Sequence, residues 1–266
     1  MSEIVKHIKI YILFVKNSIM RQMEYRVNFL IGILAECVYL ASKMLYVYIV
    51  YKNGKDIGGL SPEQIMLFMG TFVLLTAIFI GIFMPNFNEI SWKIQKGDLD
   101  VLIVKPISLQ FYLTLREVQI DSPIPNIIAG ITMICVSWSR IGLSAGFGNI
   151  IIYICMILIG IAITYSLFLI PVILSFWWVK SFQLLVITNR LWDFNQMPMQ
   201  IYSKWIQRVG LFIIPIFVII NFPVMALFET LTPIYLVWGI IAAVLLFVFV
   251  RKLWNCAVKR YSSAGG

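Results

Sequence analysis

Long apolar segments separated by short polar stretches make up most of this chain. They are rich in Ile, Leu, Val, Phe and Met and cover residues 27–50, 64–84, 125–138, 149–176, 209–228 and 234–250. A helix of about 20 mostly apolar residues crosses the roughly 30 Å hydrocarbon core of a bilayer. The pattern therefore predicts an all-α membrane protein with six transmembrane helices, in a single domain that covers residues 1–266.

The residues before the first long segment have a different pattern. Apolar side chains recur there at helical spacing, at Ile4, Ile8, Tyr11, Val15 and Ile19. The lysines of this stretch fall largely on other faces, as in helices that lie in the membrane interface. We expect residues 1–26 to form an amphipathic helix on the inner membrane surface.

Composition and charge agree with this interpretation. Hydrophobic residues are 61% of the chain and charged residues 12%, whereas soluble domains have about 25% charged residues. Basic residues gather at one set of segment ends: Lys6, Lys9, Lys16, Arg21, Arg26, Lys93, Lys96, Lys105, Arg116, Arg251, Lys252, Lys259 and Arg260. The positive-inside rule places these ends and both termini in the cytoplasm. Attraction to membrane lipids with anionic head groups accounts for the net charge of +9, so no nucleic-acid partner is expected.

The sequence offers little catalytic chemistry. The only histidine is His7, which leaves no histidine-based metal site or catalytic triad. The phosphate-binding pattern G-x-x-x-x-G-K-[ST] does not occur in the chain. We therefore expect a protein without an ATPase site, a metal or a cofactor of its own.

Two charged residues interrupt the first apolar segment. Glu36 and Lys43 are seven residues apart, which places them on one helical face with an axial separation of about 10.5 Å. At that distance they do not pair directly, so each is expected to face a pathway or a subunit interface. For Lys43 the alternative is that its amine reaches toward the outer surface. Arg190 and Asp193, three residues apart, are expected to form a local ion pair.

Two stretches of the sequence resemble a known family. Residues 90–107, ISWKIQKGDLDVLIVKPI, resemble the I-x-x-G-x-L-D-x-L-L-x-x-P loop in permease subunits of type-2 ABC exporters, in the branch that includes viologen and antibiotic exporters. The match runs from Ile94 to Pro106, with Ile103 in place of the second Leu. The ending RYSSAGG, residues 260–266, is similar to the R-Y-x-S-A-G-G ending of that branch.

A third, weaker match lies before the last apolar segment. Pro198 followed by Trp205 resembles the pattern P-x-x-x-x-P-x-W-L. Here Ser203 stands where the family often has a second proline, and Ile206 replaces the Leu.

The resemblance implies partners that the sequence itself does not encode. Such permeases pair as homodimers or heterodimers and bind two copies of a separate ATPase subunit, which holds ATP and Mg²⁺. Residues 85–110 would be the cytoplasmic coupling loop that docks on this ATPase, through Glu89, Trp92, Lys93, Gly97, Asp98, Leu99 and Asp100. We expect Trp92 and Leu99 to form an exposed apolar docking patch among the charged residues.

The resemblance also bears on the layout of residues 180–232. It implies that residues 180–196 are span five and that 197–232 form short re-entrant helices at the outer face, before the last span. Hydropathy and charge instead favour 180–208 as a cytoplasmic segment and 209–228 as a full span. We favour the family layout because Pro215 and Pro223 would disrupt a simple span. The re-entrant region then carries a predicted apolar outer gate of Met197, Met199, Phe212, Ile216 and Phe217.

These observations predict the transmembrane subunit of an ATP-driven ABC export complex in a bacterial plasma membrane. Its substrate would be amphipathic or lipophilic. One alternative is an ion-coupled carrier that works alone, for which Glu36 is nearly the only good titratable candidate. The other is a non-transporting membrane anchor or sensor of a self-protection complex.

Overall fold

Helices form most of the chain that the structure describes. It is a computed structural model that describes residues 3–54, 56–142, 146–178 and 182–261. The helices are α1 (Glu3–Glu24), α2 (Arg26–Asn53), α3 (Pro62–Ile82), α4 (Met84–Lys96), α5 (Leu99–Ile103), α6 (Leu109–Leu115), α7 (Pro123–Ile141), α8 (Phe147–Leu174), α9 (Phe182–Trp192), α10 (Lys204–Arg208), α11 (Ile216–Leu227) and α12 (Pro233–Lys259). Short 3-10 turns at Asp193–Gln196 and Met199–Ile201 follow α9, and a π-helical turn at Val209–Ile213 follows α10.

Five stretches of the described residues are long and apolar enough to cross a membrane. They are Arg26–Asn53, Pro62–Ile94, Pro123–Ile141, Phe147–Leu174 and Pro233–Lys259. A sixth crossing results only if Lys204–Ile213 and Ile216–Leu227, which meet at an angle of 96°, are taken as one span. The prediction of an α-helical, multi-pass membrane protein is therefore confirmed, with five or six candidate spans.

The bent pair corrects one of the two layouts that the sequence allows. Residues 209–228 do not form the straight helix that hydropathy alone favours, because the chain breaks between Ile213 and Ile216. Pro215 lies at this break, and proline has no backbone N–H to donate to a helix. Helix α9, Phe182–Trp192, and the 3-10 turn Asp193–Gln196 precede this bent pair in the chain.

The starts of two spanning helices follow directly from local sequence. At the start of α3, the Ser61 side chain accepts a hydrogen bond from the Gln64 backbone, and the Gln64 side chain accepts one from Ser61 N. Pro62 follows at the first helical position, where its missing donor costs nothing. At α12 the Thr232 side chain caps the helix and Pro233 again follows. Both helices therefore begin at well-defined residues.

Glycines allow two pairs of helices, α3 with α7 and α8 with α11, to pack closely in the bundle. A Cβ on Gly70 of α3 would lie 3.0 Å from the Gly130 carbonyl oxygen of α7, and the reverse distance is also 3.0 Å. On α8, a Cβ at Gly160 would lie 2.8 Å from the Ile219 carbonyl oxygen of α11. Small residues allow helix backbones to approach closely in membrane proteins. These contacts place α3 and α11 inside the bundle.

The two ends of the bundle carry different elements. At one end, called here the bent-pair end, Asn149 Nδ2 of α8 donates to Glu229 Oε1 after α11, at 2.6 Å. At the same end Trp238 Nε1 of α12 donates to the Leu211 carbonyl, at 2.9 Å. The α2–α3 connection also lies there, since Gly58 is beside Ile201. The other end, called the loop end, carries α1, α4, α5 and α6.

Candidate coupling surface and charged groups of the bundle

The predicted coupling loop folds as two short helices joined by a tight turn. Helix α4 ends at Gly97, whose φ of 78° lies in the left-handed region. Gly97 N donates to the Ile94 carbonyl and Asp98 N donates to the Lys93 carbonyl. This helix ending strongly favours glycine, because a Cβ is disfavoured at such a φ. The turn lets α5 start two residues later, at Leu99.

The exposed apolar side chains of this hairpin differ from those predicted. Trp92 is 61% exposed, as expected, whereas Leu99 is fully buried. The expectation of an exposed Leu99 is wrong because Leu99 and Leu102 form the inward face of α5. The most exposed apolar residues of α5 and its end are Val101 and Val104, at 69% and 80%, and Ile103 is 44% exposed. Trp92, Val101 and Val104 are called the coupling surface below.

Charged side chains surround the coupling surface. Lys93 Nζ and Glu89 Oε2 form an ion pair at 2.5 Å, one helical turn apart on α4. Asp98 and Asp100 are both exposed beside Gly97. The loop therefore combines apolar side chains with both signs of charge, which suits a small protein–protein contact.

The structure brings the two best-matching sequence stretches together. Partial burial raises the pKa of the Tyr261 hydroxyl, and the negative charges of nearby Asp100 and Asp98 raise it further. The Tyr261 ring also packs edge-on against Phe176, with centroids 6.1 Å apart. The tyrosine of the RYSSAGG ending thus lies against the coupling loop. Residues 262–266 lie outside the described part of the chain.

Helix α1 is attached to the extended segment between α6 and α7. Gln22 Nε2 donates to the Val118 carbonyl at 2.7 Å, and Ile120 N donates to Gln22 Oε1 at 2.9 Å. Ser18 accepts from Val118 N at 3.2 Å, and Arg21 pairs with Glu117. The predicted N-terminal helix is therefore present as Glu3–Glu24, and its position on the membrane surface stays a prediction.

The two charged residues of α2 each meet another segment. Asn126 Nδ2 of α7 donates to Glu36 Oε1 at 2.6 Å. Lys43 Nζ donates to Gln196 Oε1 at 2.8 Å and also lies 5.5 Å from the centre of the Phe72 ring. The Lys43 amine therefore contacts other segments of the protein, and the alternative in which it reaches toward the outer surface stays open. A pathway or interface role for both residues stays a prediction.

The ion pair predicted after α9 is confirmed and extends toward α2. Arg190 Nη1 lies 3.7 Å from Asp193 Oδ2, with both side chains largely exposed. Asp193 Oδ1 also accepts from Gln196 Nε2 at 2.8 Å. Since Gln196 in turn holds Lys43, polar contacts run from α9 to the C-terminal half of α2.

The predicted outer-gate residues differ in burial and in their contacts. Phe217 and Ile216 are buried in the core, and the Phe217 ring packs on Tyr202 with centroids 5.2 Å apart. Met199 is buried nearby, and its backbone N–H bonds to Asn221 Oδ1. Phe212 is instead half-exposed and contacts Trp238 of α12. The Tyr46 hydroxyl of α2 donates to the Met197 sulfur at 3.2 Å. The role of these residues as an outer gate stays a prediction.

Comparison with known families decides what kind of membrane protein this is. A family model described as "ABC-2 family transporter protein" matches residues 37–265. The chain belongs to this family. It is thus a membrane component of an ABC transporter, and such components work with an ABC ATPase subunit. Proteins of the ABC-2 family usually have no ATPase site of their own. Comparisons with curated proteins and with solved structures find no significant match.

Proposed function

We propose that this ABC-2 protein is the transmembrane subunit of an ATP-driven exporter in a bacterial plasma membrane, similar to the viologen and antibiotic exporters. It would act with a second permease copy or a paralogue and with two ATPase subunits that bind ATP and Mg²⁺. The observation that carries this proposal is the coupling surface, three exposed apolar side chains on a hairpin rigidly turned at Gly97. Its substrate would be amphipathic or lipophilic.

The proposed mechanism transmits movement of the ATPase through this hairpin. ATP binding draws the two ATPase subunits together and moves the coupling loops with them. The two permease copies then shift between conformations that differ in affinity for the substrate. The contacts of Lys43 on α2 with Gln196, just after α9, and with the Phe72 ring of α3 support a path along the faces of α2, α3 and α9. The exposed faces of α2 and α12 are available for lipid or for the second permease.

The purified chain alone is expected to hydrolyse no ATP, because its sequence has no phosphate-binding loop. Purified from its native membrane with its partners, it should form a complex with two nucleotide-binding subunits, which native mass spectrometry can count. ATP turnover that stays stoichiometric with the pure single chain would overturn the proposal. So would a chain that transports substrate in vesicles without any ATPase subunit.

The proposed topology places the termini in the cytoplasm and residues 197–232, which contain the bent pair, at the outer face. After the four native cysteines are replaced, Lys204→Cys should react with a membrane-impermeant thiol reagent on intact cells. Lys105→Cys, an exposed position at the loop end, should react only after permeabilisation. Labelling of position 204 only in permeabilised cells would reverse the proposed side of the bent pair and exclude an outer gate.

A further inference from the structure

A cavity of about 480 Å³ opens between α6, α8 and α12 at the loop end. Its volume lies within the range of roughly 300–1,000 Å³ that is usual for small-molecule sites. Most of its wall is apolar, and one end is polar. Its lining residues are Phe83, Ser108, Gln110, Phe111, Thr114, Leu115, Leu158, Ile161, Ala162, Tyr165, Phe247 and Arg251.

At the polar end, buried Gln110 and Thr114 and half-buried Tyr165 are linked by hydrogen bonds. Gln110 Nε2 donates to the Tyr165 hydroxyl at 2.9 Å, and Tyr165 donates to Thr114 Oγ1 at 3.5 Å. Thr114 Oγ1 in turn donates to the backbone carbonyl oxygen of Gln110 at 2.8 Å. Because Gln110 and Thr114 are buried, water has little access to these hydrogen bonds. The arrangement leaves Gln110 Oε1 free to accept from Arg251 Nη1, which it does.

This hydrogen bond fixes a positive charge at the cavity. Arg251 directly follows the apolar run of α12, where the helix reaches the loop end. A guanidinium is always protonated and has five donor N–H groups. Among the described residues Arg251 has no carboxylate partner, since the ion pairs there are formed by Arg21, Lys93, Arg116 and Arg190. The cavity therefore offers a cation with spare donors beside an apolar wall.

We infer that this cavity binds an anionic amphiphile. A phosphate or carboxylate head group would bond to Arg251, and an alkyl chain would lie along Leu158, Ile161 and Ala162 of α8 and Phe247 of α12. Charge-assisted bonds from a guanidinium to such anions are strong and directional. Two sources supply this chemistry: an anionic phospholipid of the adjacent leaflet, or an amphipathic anion carried as substrate. The site does not depend on the chain being an exporter.

The test uses the full chain in a neutral detergent with dodecyl phosphate as the probe. Binding is followed by the shift in thermal unfolding as the probe is titrated. Dodecylphosphocholine has the same chain with a zwitterionic head, and inorganic phosphate has a head group with no chain. Each should bind at least about tenfold more weakly than dodecyl phosphate, because each lacks one half of the recognition.

Three variants separate the site from general charge effects. Arg251→Gln should weaken dodecyl phosphate binding by about tenfold or more, and Lys252→Gln, the exposed neighbour outside the cavity, should leave it unchanged. Ala162→Phe fills the apolar wall without touching the charge, and should weaken binding even if Arg251→Gln does not fold. Equal binding by wild type and Ala162→Phe would overturn the inference. So would equal losses in Arg251→Gln and Lys252→Gln.

Lipid nanodiscs then distinguish the two sources. In phosphatidylcholine discs the chain should bind dodecyl phosphate. If added phosphatidylglycerol displaces the probe, the site is a lipid site; if it does not, the site takes a soluble amphiphilic anion. Both results retain the anionic-amphiphile site. Failure of the probe to bind in phosphatidylcholine discs, where no anionic lipid competes, would contradict it.

Discussion

Trp92→Asp is expected to detach the ATPase subunit from the permease. Trp92 is exposed at the loop end and belongs to the coupling surface. Removal of a central apolar anchor from an interface costs about 2 kcal/mol or more, which corresponds to roughly 30-fold in affinity. A carboxylate adds the cost of desolvating a charge. Val101→Asp and Val104→Asp should act in the same direction, and the retained ATPase per folded permease is the measurement.

The matched control places the same change at the other end of the molecule. Trp205 is 67% exposed and lies at the bent-pair end, so Trp205→Asp should keep the ATPase bound. Leu99→Asp provides a second comparison, because burying a carboxylate in the core should lower the yield of folded permease. If Trp92→Asp and both valine variants retain the ATPase and transport normally, the ATPase docks elsewhere.

The exposure of Trp92 was predictable from the sequence, whereas the burial of Leu99 was not. The exposed tryptophan was predicted from the residues of the coupling loop. Gly97 was placed in this loop, and the structure shows that it ends α4 with a left-handed φ of 78°. The inward face of α5 could not be predicted. A helix of five residues is too short for its hydrophobic periodicity to separate a buried Leu99 from an exposed Val101.

The long spans were predictable because hydropathy over about 20 residues outweighs local detail. The apolar run 149–176 corresponds to α8, Phe147–Leu174, and the run 234–250 lies within α12, Pro233–Lys259. The contacts that orient these helices were not predictable. Lys43 meets Gln196, 153 residues away, and Gln22 holds the backbone of Val118, 96 residues away. Such hydrogen bonds leave no pattern in a single sequence.

The bent pair was only partly predictable from the sequence. Pro215 indicated a break, and the structure has one there. The position of α11 was not indicated, because an apolar helix is compatible with lipid on every side. Its burial depends on Gly160, a residue of another helix that lets the two backbones meet. The predicted gate residues Ile216 and Phe217 are therefore core residues of this bundle.

Gly160→Leu is expected to give the largest loss of folded protein among single changes in α8. A Cβ at this position would lie 2.8 Å from the Ile219 carbonyl oxygen, which is backbone and cannot rotate away. The branched side chain must push α8 and α11 apart, and overpacking of this kind costs about 1–3 kcal/mol or more. The unfolding temperature and the monodisperse fraction on size-exclusion chromatography should both fall. Gly160→Ala, which adds only the Cβ, should have a smaller effect.

The same helix supplies the control. At Gly148, in the first turn of α8, an added Cβ would meet no atom within 4 Å, so Gly148→Leu should leave both measurements unchanged. If the Gly160 and Gly148 variants behaved alike, α11 would not pack against α8 as described, and Phe217 would be free to line an open path. If only Gly160→Leu loses stability, α11 is part of the rigid core. An outer gate built on it would then have to open by moving α8 and α11 together, since their contact leaves no room for one to slide past the other.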